Sequence, residues 1–306
     1  MELFCGIDGG GTKTHCIIGN EKMQILAEGF GGPANYHTVG LNRTRKSIEE
    51  SLQIALKKSN LKLKNLKFTI LGLSGADREE DVKILTNLCE KIFGSNKSQV
   101  LNDCWIALRN GSPENWGIVA ICGTGGGYAG RNKKGESFIY RNLDYLTGGG
   151  GGGLEIAEKA IHFAFRSEEG SYVKSILESA IPELFNVKEM KDVLSLIWQK
   201  NIEKKILDKI PPLVIKLAQE GDEVCNKILQ ELGQTIGQYI NGIIKKLFSP
   251  NEKIPIILSG GVFKSKNSPL ISSIEREVIK NYNLVNFVIP DTPPVYGAYY
   301  LAISLL

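Results

Sequence analysis

Residues 6–14 read Gly6-Ile7-Asp8-Gly9-Gly10-Gly11-Thr12-Lys13-Thr14: an apolar run ends in an acid, turns through glycines and continues with hydroxyl and amine donors. Glycine amides can wrap anionic oxygens because no side chain stands in the way. Thr12 and Lys13 add donors, and Asp8 offers a hard oxygen that can hold Mg²⁺ through water. A tight hairpin uses fewer glycines than this, so the pattern points to a phosphate turn. No helix is expected to begin directly after it, which sets it apart from a Walker A loop or a G-x-G-x-x-G fingerprint.

A second cluster, Ile121-Cys122-Gly123-Thr124-Gly125-Gly126-Gly127-Tyr128, has the same strand–turn–strand order. Alone it would be an ordinary turn; recurring at the matching point of a second half, it pairs with the first. The third, Ile256-Ile257-Leu258-Ser259-Gly260-Gly261-Val262-Phe263, closes an apolar run and leads into helical sequence. In isolation it is a plain strand-to-helix turn, although such small residues would let an adenine ring lie flat on the backbone. These clusters stand out because glycine makes up 34 of 306 residues, about 11%, against an average near 7%.

The elements that carry these turns are read from hydrophobic periodicity. Strands are expected at 3–8, 14–19 and 24–30, and a helix at 41–59 with Leu41, Ile48, Leu52 and Leu56 on one face. A strand at 67–73, a helix at 78–93, a strand at 98–102 and a helix at 103–110 complete the first half. Asn110-Gly111-Ser112-Pro113 is a turn-rich break. Beyond it come strands at 117–122, 127–131 and 136–141, helical sequence from 154 to 248, and a strand at 254–258. A helix at 268–281, a strand at 285–289 and a helix at 295–306 close the pattern. Each half reads β-β-β-α-β-α-β-α, the second with a large helical insertion, so the fold is duplicated without repetition of sequence. The expected organisation is a lobe over 1–113, a second lobe over 114–292, and a C-terminal helix over 293–306 that packs back towards the first lobe. Facing lobes imply a cleft for a small ligand.

Composition removes other classes. Lys and Arg exceed Asp and Glu by 37 − 33 = 4, spread along the chain rather than gathered into the basic stripe of a nucleic-acid binder. Apolar runs fall well short of the ~20 residues of a membrane span, and no signal-peptide pattern opens the chain. Six scattered cysteines show no metal spacing and suit a reduced, cytoplasmic setting.

Taken in order, Asp8 to Thr14, Gly123-Thr124-Gly125 and Leu258 to Phe263 resemble the phosphate-1, phosphate-2 and adenosine motifs of the sugar kinase/heat-shock ATPase/actin superfamily. Within it the chain is similar to the BadF/BadG/BcrA/BcrD-type ATPases, specifically their N-acetylglucosamine kinase branch. Gly31-Gly-Pro-Ala-Asn35, Asn102-Asp103, Ala218 to Asp222 and Pro294 to Ala298 extend the resemblance over nearly the whole chain. It implies a two-lobed, actin-like, ribonuclease-H-like α/β fold. It also implies transfer of the γ-phosphoryl of MgATP to the 6-hydroxyl of N-acetylglucosamine, N-acetylmuramate or both.

Asp103 matches the family's catalytic base, and Asn35 a sugar-hydroxyl ligand. Gly9, Gly10, Gly11, Thr12, Lys13, Gly123, Thr124 and Gly125 match nucleotide-phosphate contacts. Ala218, Gly260 and Gly261 match the adenosine side, and Gly126, Asp144 and Tyr145 further substrate contacts. Asp8 would hold Mg²⁺ through water. Read from their residue types alone, Asp103 is equally a helix N-cap, Asn35 an Asx turn, and Asp77 with Glu80 close to a capping box. The chain departs from the family at Gly148–Gly153, where an acidic stretch is usual. That run is either room beside the sugar or a hinge into the helix at Leu154. The expected partners are an amino sugar and MgATP, with no nucleic acid and no membrane, and a homodimer is within reach. Two other roles within reach of the resemblance are an ATP-driven activator of a 2-hydroxyacyl-CoA dehydratase and a nucleotide-binding regulator.

Overall fold

The computed structural model describes residues 1–305 except 142, 144, 201 and 267. The first half runs β1 (Leu3–Gly9), β2 (Thr14–Asn20), β3 (Ile25–Gly31), α1 (Tyr36–Ser59), β4 (Leu66–Leu73), α2 (Glu79–Phe93), β5 (Ser98–Asn102) and α3 (Asp103–Gly111). The second begins with β6 (Gly117–Cys122), β7 (Gly126–Arg131) and β8 (Ser137–Ile139). The helical stretch resolves into α4 (Gly153–Glu168), α5 (Leu177–Leu184), α6 (Met190–Trp198), α7 (Lys204–Leu207), α8 (Ile210–Gln219) and α9 (Glu223–Leu247). β9 (Ile254–Ser259), α10 (Pro269–Ile279), β10 (Val285–Val288) and α11 (Val295–Ser304) close the chain.

The two sheets have strand orders β3-β2-β1-β4-β5 and β10-β9-β6-β7-β8. Counted within each half, both read 3-2-1-4-5, so the duplication expected from the element order is a duplication of topology. This is the actin-like α/β fold. The chain divides into two compact units. One holds Met1–Val119, Ala129–Ser137 and the chain from Pro290 onward; the other holds Ala120–Tyr128 and Phe138–Ile289.

In the first unit the sheet is buried on both faces, and the pleat sorts its side chains. Leu3, Cys5 and Ile7 of β1, Cys16 and Ile18 of β2, and Leu71 and Leu73 of β4 join Ile48, Leu52, Leu85 and Leu88 of α1 and α2 in one core. Phe4, Ile17 and Ile70, the alternate residues, meet Ile106 of α3 and Val295, Ala298, Tyr299 and Ala302 of α11 in the other. The close approach of α11 demands glycine, since a Cβ on Gly6 would come within 2.5 Å of the Tyr299 nitrogen. In the second unit α9 and α10 cross closely. A Cβ on Gly233 or Gly237 would stand 2.6 or 2.7 Å from the Cβ of Ser273 or Glu277.

Several local expectations change. Helix α1 starts at Tyr36 rather than 41, because Asn35 caps it, and Gly40 interrupts it at φ 75°. The capping pair of α2 is shifted by one residue from Asp77 and Glu80: the Arg78 amide donates to Asp81 at 3.0 Å. After β9 the chain enters only a short 3₁₀ turn, Gly261–Lys264, before α10.

Candidate functional site

Strand β1 is flanked by antiparallel β2 and parallel β4, and β4 by parallel β5. The carboxyl ends of β1, β4 and β5 therefore lie side by side. The segments leaving those three strands collect at one edge, the usual ligand edge of an α/β sheet. Asp8 is at the end of β1, Asp77 comes just after β4, and Asp103 directly after β5. Backbone bonds bind these segments together. The Ser74 amide donates to the Gly9 carbonyl at 2.9 Å, and the Ala34 amide to the Gly10 carbonyl at 2.9 Å. Asn35 lies against the same edge, its Oδ1 within 2.8 Å of where a Cβ on Gly75 would be.

Asp103 is not the helix cap. Asn102 fills that role, its Oδ1 accepting from the Cys104 amide at 2.9 Å, while its Nδ2 donates to Asp77 at 2.8 Å. The Asp103 carboxylate, at the first helical position, is thus not required for capping. Burial first, then the negative charges of Asp8 and Asp77, push its pKa up to about 7. Burial likewise raises Asp8 to about 6, with Lys13 opposing. Asp77 is raised by burial and by the charge of Asp81. Three carboxylates raised in this way at one sheet edge make it the candidate site.

Two members of this edge escape a reading by motif: Asp77, which looks like a capping residue in the sequence, and Ser74, whose buried Oγ has no partner among the described residues. The signal for both is their position just beyond the carboxyl end of β4. Asn35 does make the Asx turn, its Oδ1 accepting from the His37 amide at 3.1 Å. Asp81 anchors this corner: the Arg78 guanidinium donates to it at 2.8 and 3.0 Å, the Tyr36 hydroxyl also donates, and the carboxyl is held well below its ordinary range.

In the second unit the Gly123 amide donates to the Gly125 carbonyl at 3.0 Å, closing the turn into Gly126. A Cβ on Gly125 would meet nothing within 4 Å. Internal packing does not require glycine there, and its smallness leaves space open to a ligand. Gly261 is open in the same way. Gly260 has φ 114°, and a Cβ there would collide with the Cys122 carbonyl, so it is glycine for backbone reasons. The Gln219 side chain donates to Ser265 Oγ at 3.1 Å, joining the end of α8, with Ala218, to the turn after Gly261.

The Gly148–Gly153 run is tied down rather than slack. The Gly153 and Leu154 amides donate to the Gly123 and Thr124 carbonyls at 2.8 and 3.0 Å, so the start of α4 docks on the glycine turn. The Gly151 amide donates to Glu155 at 2.8 Å, and the Tyr128 and Tyr239 hydroxyls donate to the Gly150 and Gly148 carbonyls. A Cβ on Gly152 would come within 2.5 Å of Gly125 Cα. Close packing accounts for glycine at 151, 152 and 153, while Gly148 meets nothing within 4 Å and instead takes a left-handed φ of 79°.

The Tyr145 side chain is 90% exposed in a 3₁₀ turn, and Asp144 lies outside the described residues. Among the described residues no group of three His, Cys, Asp or Glu side chains gathers around a metal position.

Residues 5–302 match the BadF/BadG/BcrA/BcrD ATPase family. The chain is 30% identical over 304 residues to the N-acetylmuramic acid/N-acetylglucosamine kinase of Clostridium acetobutylicum, covering 99% of each. It is 28% identical over 314 residues to the N-acetyl-D-glucosamine kinase of Dictyostelium discoideum, covering 99% of this chain and 98% of that one. A solved structure of a candidate N-acetylglucosamine kinase from Chromobacterium violaceum matches in fold, with TM-score 0.77 and 19% identity over 99% of each chain. With nearly its whole length matched, the chain belongs to the BadF/BadG/BcrA/BcrD ATPase family.

Proposed function

We propose that the protein is a cytoplasmic ATP-dependent kinase that phosphorylates the 6-hydroxyl of an N-acetylated amino sugar, N-acetylglucosamine, N-acetylmuramate or both. The observation that carries this reading is Asp103: a partly buried carboxylate, relieved of capping by Asn102, whose pKa lies near 7. A base poised near neutrality can take the proton of a sugar hydroxyl as its oxygen attacks the γ-phosphorus and the bond to the ADP oxygen breaks. Asn35 and Ser74 supply polar groups at the same sheet edge for sugar hydroxyls. Gly9–Gly11 with Thr12 and Lys13, and Gly123–Gly125, supply amide, hydroxyl and ammonium donors for phosphate oxygens. Ala218, Gly260 and Gly261 offer small surfaces for the adenosine. Asp8, a partly buried carboxylate with Lys13 as its neighbouring cation, fits Mg²⁺, which when bound would neutralise charge on the phosphates.

The names of the full-length relatives support an amino-sugar kinase. For the dehydratase-activator reading the resemblance implies cysteines placed to hold an iron–sulfur cluster between two subunits, and all six cysteines here are buried. The test is ADP release over a panel of free sugars that includes both candidates and their 6-deoxy analogues. Sugar-dependent ADP release that vanishes with the 6-deoxy compound is expected; sugar-independent release would overturn the reading.

A further inference from the structure

Within the first unit, the turn before β6 and the β7–β8 hairpin border a cleft of about 370 Å³, lined by Glu114, Asn115, Trp116, Arg131, Asn132 and Lys133 among others. That volume falls in the range of small-molecule sites, ~300–1,000 Å³. None of the roles proposed above uses these residues. Two cations line it, and each lies over an aromatic ring. The Arg131 guanidinium lies 4.6 Å from the centre of the Trp105 ring, and Lys133 Nζ lies 4.5 Å from that of Trp116. Arg131 is partly buried, and that burial disfavours its charge with no carboxylate offsetting it. Among the described residues neither cation is ion-paired. The acids close by bond to other lining residues and not to the cations: Glu114 accepts from Trp116 Nε1 at 2.6 Å, and Glu136 from Asn132 Nδ2 at 2.7 Å.

The same cleft holds an acceptor with nothing to accept. Asn115 sits at φ 57°, and its Oδ1 is buried with no hydrogen-bond partner. A buried polar atom left unpaired is costly, so the cleft presents a fixed donor fork, a second cation and a waiting acceptor together. We infer that it is a second binding site for a small hydroxylated anion: the anionic group pairs with Arg131 and Lys133, and a ligand hydroxyl donates to Asn115. Guanidinium suits the paired oxygens of a phosphate or carboxylate. The inference stands independently of the proposed kinase activity.

Binding of glucose 6-phosphate, gluconate and sulfate to the full chain, measured by calorimetry with saturating AMP-PNP present, tests it. Saturable binding of glucose 6-phosphate or gluconate that survives the nucleotide analogue is expected, and their ranking tells phosphate from carboxylate. Arg131→Gln should weaken binding about tenfold or more, and Lys133→Gln by less. Asn115→Gly, which keeps the left-handed backbone, should weaken the hydroxylated ligands while leaving sulfate unchanged. Folding of each variant is checked by circular dichroism. Equal affinity in folded Arg131→Gln, or no saturable binding, would overturn the inference.

Discussion

The two units share a strand order and differ in what they place at equivalent strand ends. In the first, β1 closes on Asp8, β4 leads to Asp77, and β5 hands over to Asp103. In the second, β6 closes on Cys122-Gly123 and β9 on Ser259-Gly260. One edge is acidic: burial raises the Asp8 carboxyl, and burial with the charges of Asp8 and Asp77 raises that of Asp103. The other is built from backbone, with Gly125 and Gly261 leaving open space. A neutral backbone cradle can hold an anion unaided, whereas an acidic edge needs a cation, Lys13 or Mg²⁺, before phosphate can approach. Duplicated topology thus brings different groups to equivalent strand ends; on the proposed reading, the base belongs to the first unit alone, while both units offer glycine turns to phosphate.

That division can be broken from either side. The largest effect is expected for Asp103→Asn, which should lower turnover about 10²–10⁴-fold while leaving the ATP Kd unchanged; near wild-type kcat would remove Asp103 as the base. Next, Gly125→Val should weaken MgATP binding at least about tenfold, some 1.4 kcal/mol, at unchanged Tm, since its side chain enters open space rather than protein. An unaltered ATP Kd in the folded variant would mean that the second glycine turn is no phosphate cradle. Gly152→Ala sharpens the contrast from the packing side. Its Cβ would press on Gly125 Cα at 2.5 Å, so urea unfolding should show a loss of about 1–3 kcal/mol. A loss no greater than that of Gly125→Ala would show that the run yields freely.

The last effect concerns pH. The Asp103 pKa is raised from 3.8 to about 7 in the folded protein, so the native state binds the extra proton. The associated stability is fully present below about pH 4 and is lost as pH rises through about 7. In metal-free, nucleotide-free protein, Asp103→Asn should therefore melt higher than wild type at pH 8, with the advantage shrinking to nothing near pH 4. A pH-independent difference in Tm would contradict the raised pKa. The variant would also be more stable and less active, the trade expected where an active site stores unfavourable charge.

The glycine turns and the order of strands and helices were legible in the sequence because they rest on local patterns: alternation, helical spacing and punctuation by glycine. Asn35 and Asp103 were visible only as ambiguous polar residues at element starts, and the family resemblance singled them out. Asp77 shows why. Its spacing to Glu80 mimics a capping pair, and only the actual cap, Arg78 with Asp81, frees it for another role. For Gly148–Gly153 composition suggests looseness, whereas contacts with Gly125, Tyr128 and Glu155 pack the end of the run, Gly151–Gly153, closely.

By itself, then, the sequence determined the duplicated α/β pattern and where backbone could approach an anion, since both are written in neighbouring residues. Only the tertiary structure decided that Asp8, Ser74, Asp77 and Asp103 share one edge. Parallel pairing of β1 with β4 and of β4 with β5 joins segments far apart in the chain, and no local pattern encodes which strand will lie beside which. The same pairing sets the burial and mutual repulsion that lift the Asp103 carboxyl towards neutrality, a property of its surroundings rather than of its residue type.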